Sequence, residues 1–223
     1  TPRDQMPADN PDALIQTSNP LPGTRAVLQF VRPYFQEADF SSVNFETPVT
    51  LDPSTPHPTK DFAYFTLPGS LPALKELGVD YVTLGNNHVY DYLEPGLQST
   101  LDYLDAAGIP YSGAAPTLAE SFGGYRITLD GSPYSFLGMT SISGRKHELS
   151  YVADEAKGGA ADLTRDEDVK NAIQREINAG FIPIAQLHGG TEYSFEPTEY
   201  IRNSMERVSR DGAALVISHH PHM

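Results

Sequence analysis

There is no cysteine in this 223-residue chain. Disulfides, thiolate nucleophiles and cysteine-ligated zinc are thereby excluded, while the redox compartment stays open. Hydrophobic residues make up 39% of the sequence, and no apolar run approaches the ~18 residues that would suggest a membrane span. Positive charge is also scarce: 15 Lys and Arg stand against 29 Asp and Glu, for a net charge of −14. A field of that sign repels nucleic acid and anionic membrane surfaces, so no nucleic-acid partner is expected. An acidic protein acting on an anionic substrate needs local positive charge, and a bound metal is the obvious source. No signal peptide is visible, yet Thr1 is not a natural start, so an upstream leader or anchor is expected to be missing from this chain.

The length allows one large domain or two small ones. Residues 1–23 are rich in Pro, Asp, Asn and Thr and read as an irregular lead-in. Val27, Leu28, Val31 and Phe35 have helical spacing over 24–37, with Pro33 kinking or restarting the helix. A strand is expected over 40–46, which puts Asn44 and Glu46 on one side, and then a Pro-rich loop over 47–59. Ser70 is a candidate cap for a helix carrying Leu71, Leu74 and Leu77 that Gly78 stops. A strand over 79–83 and a helix striped by Leu97, Leu101 and Leu104 come next. Residues 125–130 and 134–139 flank Gly131-Ser132-Pro133 as a hairpin, and 143–159 reads as a long polar loop.

Thr164 and Glu167 form a capping box for a helix with Val169, Ile173 and Ile177. The strand over 181–187 contains Pro183, which argues for a sheet edge or an irregularity. A last helix starts near Pro197, and a last strand covers 213–217. Helix and strand alternate, with one hairpin interrupting, and no linker splits the chain. That order predicts a single α/β domain over 1–223 with strands buried between helix layers.

Four strand ends carry the chemistry: Glu46; then Asn86, Asn87, His88 and Asp91; then His188 and Glu192; then His220 and His222. Loops after neighbouring strands of an α/β sheet meet at one rim, so these groups are expected to converge. Carboxylate, amide oxygen and imidazole are a mixed N/O donor set suited to Mn, Fe, Zn or Ni rather than Ca. Such a set supports hydrolysis by two ions ~3.5–4 Å apart that clamp a phosphoryl oxygen and turn water into hydroxide. Each part has a plainer reading: a surface acid for Glu46, a hydrogen-bonded rim histidine for His188, a polar turn for Asn86 to His88. Gly189-Gly190 removes bulk where a crowded site would need it, and His220-Pro221-His222 offers two imidazoles around a rigid residue. His219 is expected to face the other way. Asp91 either orients His88 or caps the next helix. Asn44, Asn86, Glu192 and Arg145 are candidates for substrate contact, although Arg145, Lys146 and His147 also read as a solvated loop.

At these residues the sequence resembles the CapA family of capsule or poly-γ-glutamate synthesis proteins, within the calcineurin-like metallophosphatase superfamily. The matching stretches are Ala38-Asp39-Phe40 leading to Asn44-Phe45-Glu46-Thr47-Pro48, Leu84-Gly85-Asn86-Asn87-His88 with Asp91, His188-Gly189-Gly190-Thr191-Glu192-Tyr193, and His220-Pro221-His222. The resemblance covers residues 25 to 223. It implies a four-layer α/β/β/α sandwich, truncated here at both ends, with a metal site at the sheet rim. Glu46, Asn87, His188, His220 and His222 would be metal ligands for two divalent ions, and His88, held by Asp91, would protonate the leaving oxygen.

The function implied is metal-dependent hydrolysis in cell-surface polymer synthesis, with a phosphoester or anionic polymer as substrate. Two other readings stand beside it: a non-catalytic polymer-binding or export accessory protein, and a hydrolase of γ-glutamyl amide bonds. The resemblance also implies a location at or outside the cell surface and a partner in a membrane polymer-synthesis complex.

Overall fold

A computed structural model describes residues 13–146 and 149–222, so His147 lies outside the described residues, as does the lead-in before Ala13. Pro33 restarts the first helix: α1 (Pro20–Leu28) and α2 (Arg32–Gln36) are separate, with Pro33 in the first turn of the second, where an N–H would have no helical partner. Helix begins already at Pro20, inside the segment expected to be irregular. β1 (Ser42–Asn44) is shorter than the strand expected over 40–46. Phe45 still donates its N–H to the Thr83 carbonyl at 3.0 Å, and the chain then leaves the sheet with Glu46 at the rim.

A 3-10 turn (Pro68–Ser70) leads into α3 (Leu71–Leu77). Ser70 makes no cap bond; its hydroxyl is instead paired with that of Thr24 at 3.0 Å. Gly78, at φ 103°, ends α3 in the left-handed conformation that glycine takes without a Cβ penalty. Then come β2 (Tyr81–Thr83), α4 (Leu93–Ala107) and β3 (Tyr111–Ser112). β1, β2 and β3 form a parallel sheet in that order.

The second half contributes β4 (Ala114–Ala115), α5 (Leu118–Ser121), β5 (Tyr125–Leu129), β6 (Ser132–Thr140), β7 (Gly159–Ala160), α6 (Asp166–Asn178), β8 (Ile182–His188), α7 (Glu199–Arg210) and β9 (Leu215–His219). β4 and β7 make a small antiparallel pair, so the polar stretch after Ser143 ends in a strand. The larger sheet has the order β5-β6-β8-β9; its hairpin is antiparallel and the rest is parallel. The hairpin turns at Asp130-Gly131, both at positive φ, so Ser132 and Pro133 already belong to β6. α6 starts at Asp166 behind Arg165, because Thr164 bonds the Asp162 carboxylate at 2.7 Å rather than the helix end. Pro183 lies in a strand flanked on both sides. It is tolerated there because β9 pairs only from Ile184 onward, while the Pro183 carbonyl still accepts from Ala214 at 2.9 Å.

Side-chain alternation stacks these pieces in four layers. Val82 of β2 packs with Leu77, Leu97, Leu101 and Leu104 of α3 and α4. Tyr81, one residue earlier, faces the other sheet, stacking on Tyr125 at 5.4 Å and meeting the tilted Phe136 ring at 5.1 Å. On β6 and β8, Leu137, Met139, Ala185 and Leu187 join Ile173 of α6 and Ile201 and Val208 of α7 in a second core. Phe136, Gln186 and His188 point back toward the first sheet, where Gln186 donates to Ser42 Oγ at 3.1 Å. Each fully buried Leu contributes roughly 1.5–3 kcal/mol. The result is the α/β sandwich that the resemblance implies. Between the sheets the approach is close: a Cβ on Gly85 would meet the Met139 nitrogen at 2.3 Å. The C-terminal ends of β1, β2, β8 and β9 open on one rim.

Candidate metal centre

Glu46 arrives just past β1, Asn86 to Asp91 past β2, His188 at the last residue of β8, and His220 and His222 past β9. His188 is wholly buried, with Nε2 2.7 Å from Asn87 Oδ1 and 3.1 Å from Glu46 Oε1. Glu46, His220 and His222 bring one donor atom each to within 4.8 Å of one another. The His188 and His220 rings lie 4.8 Å apart, and those of His220 and His222 5.6 Å. His220 reaches this position by a break in the strand path, at φ 111°. All five residues expected to act as ligands therefore share one rim.

The surrounding groups hold this cluster in place. Asn44 Nδ2 donates to Glu46 Oε2 at 2.9 Å. Asn86, fully buried, donates to Asn44 Oδ1 and the Phe45 carbonyl and accepts from the His88 N–H, so its amide is used inside the protein. Beside Asn87, His88 Nδ1 lies 2.7 Å from Asp91 Oδ2. Asp91 does not cap α4, whose N-cap is Tyr92; its carboxylate accepts from Lys60 Nζ and the Tyr64 N–H.

Electrostatics favour the neutral form of His188, His219 and His220 and keep the Glu46 carboxyl charged. Burial foremost, with His188 adding to it, pushes His220 down to about 4 and His219 to about 3. His188 is also lowered, chiefly by burial. Burial favours the neutral form of Glu46, but the imidazoles of His188, His88 and His222 outweigh it and hold the carboxyl at about 2. Lone pairs on neutral imidazoles and a full negative charge are what a divalent cation takes as ligands.

Fit to a cation shows in what the protein leaves unpaired. Glu46 Oε1 and His220 Nδ1 are buried and have no aligned hydrogen-bond partner among the described residues. Leaving a buried polar atom unpaired costs about 1–3 kcal/mol, and a cation between them would remove that cost. The donor set, its spacing and its protonation state fit a transition-metal ion.

A cleft of about 1180 Å³ opens onto the cluster, lined among others by Glu46, Lys60, Asn87, His88, Arg145 and Glu192. Glu192 is exposed on its wall, and Arg145 is tied to the buried Asp162 at 2.5 Å. Three residues here escaped the sequence reading. Lys60 also donates to the Asn87 carbonyl at 2.6 Å, and Tyr64 packs its ring 4.6 Å from that of His88. Neither has a pattern of its own in a loop. His219 was expected to face away, yet its Nδ1 lies 2.9 Å from that of His188. Extending β9 by two residues, to where the ladder ends, is the signal that finds it.

Comparison with known proteins agrees with the resemblance. A family model described as bacterial capsule synthesis protein PGA_cap matches residues 4–223. The PGA biosynthesis protein CapA of Bacillus subtilis (strain 168) is 25% identical over 202 residues, covering 90% of this chain and 52% of that protein. The capsule biosynthesis protein CapA of Bacillus anthracis is 25% identical over 207 residues, covering 90% and 49%. A probable polyglutamine synthesis accessory protein of Mycobacterium tuberculosis is 26% identical over 193 residues, covering 82% and 50%. The chain thus spans about half the length of the curated relatives it matches.

Proposed function

The chain belongs to the bacterial capsule synthesis protein family PGA_cap, and from that membership we propose a metal-dependent hydrolase serving synthesis of a cell-surface γ-glutamyl polymer. The observation that carries the reading is the gathering of Glu46, Asn87, His188, His220 and His222 at one rim, with the Glu46 carboxylate among imidazoles and His220 Nδ1 buried without a partner among the described residues. Those five would hold two divalent ions of the Mn, Fe, Zn or Ni class. When bound, the ions supply Lewis-acid charge at the scissile group and make water acidic near neutral pH.

The remaining steps belong to the chain itself. Glu46 stays anionic and bridges the imidazoles, while Asn44 fixes its second oxygen. His88 is held through Nδ1 by Asp91, which leaves Nε2 to carry the proton given to the leaving oxygen. Lys60 pins Asp91 and the Asn87 carbonyl together, so the proton donor and the ligand loop keep one geometry. The cleft walls, with Arg145 and Glu192, receive the substrate. Among the described residues no helix is long and apolar enough to cross a membrane. Action on a surface polymer would place the protein outside the cytoplasm, beside a membrane synthesis complex.

The test is elemental analysis of purified protein together with turnover of an aryl phosphate and of a γ-glutamyl oligomer. Bound metal, and a loss of both metal and turnover in His220→Ala, are expected. A protein that holds no metal and keeps its turnover in that variant overturns the reading. Preference between the two substrates separates phosphoester from amide hydrolysis, and chelator-sensitive binding of oligomer without turnover identifies an accessory binding protein.

A further inference from the structure

Metal ligation by the rim gives no task to His219, and the sheet register supplies one. β8 and β9 run parallel with His188 paired to His219, and residues paired across a ladder present their side chains on one face. The ring centroids lie 5.0 Å apart and the two Nδ1 atoms 2.9 Å. A contact of that length between ring nitrogens holds one hydrogen, so one ring donates and the other accepts.

His188 turns Nε2 to Asn87 Oδ1 and Glu46 Oε1, two oxygens that accept a hydrogen on Nε2 or would share a cation in its place. A neutral imidazole that ligates through Nε2 carries its hydrogen on Nδ1, and that N–H needs an acceptor. Asn44 cannot provide it, since the atom it places 3.4 Å away is its amide nitrogen Nδ2, which donates and does not accept. The Nδ1 of His219 can, when the His219 hydrogen sits on Nε2. At the far side of His219, Nε2 is buried with no hydrogen-bond partner among the described residues, so the contact with His188 is what selects the His219 tautomer.

We propose that His219 is the positioning residue of His188, accepting its Nδ1–H and thereby fixing the tautomer and ring orientation that present Nε2 to a divalent ion. A carboxylate or backbone carbonyl usually fills this place behind a ligating histidine; here an imidazole from the neighbouring strand does. The inference rests on the metal reading given under Proposed function.

Zinc affinity is measured by competition with a chromophoric chelator for the wild type, His219→Leu and His219→Asn. Leucine removes the acceptor, whereas asparagine places an amide oxygen close to the position of Nδ1. His219→Leu is expected to weaken zinc binding about 10–100-fold, with His219→Asn within a few-fold of wild type. Nitrogen-15 NMR of the zinc-loaded wild type should show His188 protonated at Nδ1 and His219 bare at Nδ1. The same spectrum decides the matter if His219→Leu does not fold. Equal affinity in His219→Leu, an equal loss in His219→Asn, or a hydrogen on His219 Nδ1 overturns the proposal while the metal reading stands. A wild type that takes up no zinc overturns both.

Discussion

Glu46 and Glu176 are both withdrawn from solvent, with side chains 12% and 2% exposed, and both are held below the usual carboxylate range. The means differ. At Glu176, burial opposes the charge and Arg126 overrides it, donating from Nε at 2.7 Å while Arg175 stands 3.5 Å away. Guanidinium keeps its proton and cannot ligate, so that pair is complete in itself. Glu46 faces imidazoles instead, and one of its buried oxygens has no aligned partner. Imidazoles can give up protons and take a metal. The contrast separates a carboxylate that closes a structure from one that waits for a ligand.

Exchanging each acid for its amide is the strongest way to break the contrast. Glu46→Gln is expected to lower metal content and turnover by at least on the order of 10²-fold, beyond whatever stability the depressed carboxyl contributes in chelator-treated protein. Glu176→Gln should keep its metal and lose stability alone. If both variants lose stability and neither loses metal, the two acids are alike and the rim is an ordinary polar cluster.

Acid separates the two regions by pH window. His219 and His220 have folded values near 3 and 4 against an ordinary 6.5. Between those limits the unfolded chain binds more protons, so stability falls as pH drops from about 6.5. Depressed carboxyls act lower: their contribution is complete above about 4.5 and is lost as pH falls through the folded value, which for Glu46 is about 2. Unfolding free energies from urea titration in chelator should therefore decline by about a few kcal/mol in total from pH 7 to 4, and His220→Asn should flatten that slope. Glu176→Gln should change only the part below about 4.5.

Lys60 stands between the two kinds of site. Its ammonium is buried, with burial lowering its pKa and Asp91 opposing that, and it reaches both Asp91 and the Asn87 carbonyl. Lys60→Met should cost about 2 kcal/mol in urea unfolding, because Asp91 keeps the Tyr64 N–H and His88 but loses its cation. Turnover should fall with it. Unchanged turnover would make Lys60 purely structural.

Lys60 also marks the boundary of what the sequence could reveal. Helices with leucine stripes closed by glycine were readable because periodicity and stop signal agree, as in α4 with Gly108. Asn87-His88 and His220-Pro221-His222 were readable because the donors are close in sequence and follow strands. The length of β1 was not, since Phe45 keeps a sheet hydrogen bond after the ladder ends. Pro183 misled because its missing N–H falls before β9 begins, which only the register shows. His219 was assigned by alternation, which fails at the positive φ of His220. Lys60 and Tyr64 act through space alone, and a loop carries no period to announce them.

The smallest expected effect bears on the other side of the contrast. Arg126 is 44% exposed and also lies over the Phe181 ring at 4.7 Å, so solvent screens its pairing with Glu176. Arg126→Ala should cost about 1 kcal/mol, since Arg175 remains to meet the buried carboxylate. Arg126→Lys keeps the charge but loses the forked geometry and the flat contact with Phe181, and should recover only part of that cost. Zinc affinity should be unchanged in both, since Arg126 bonds Glu176 and covers Phe181 and reaches no rim residue among the described residues. A shift in zinc affinity with stability intact would mean that the two glutamates are coupled through β6 and β8, and the division between closed and open carboxylates would then fail.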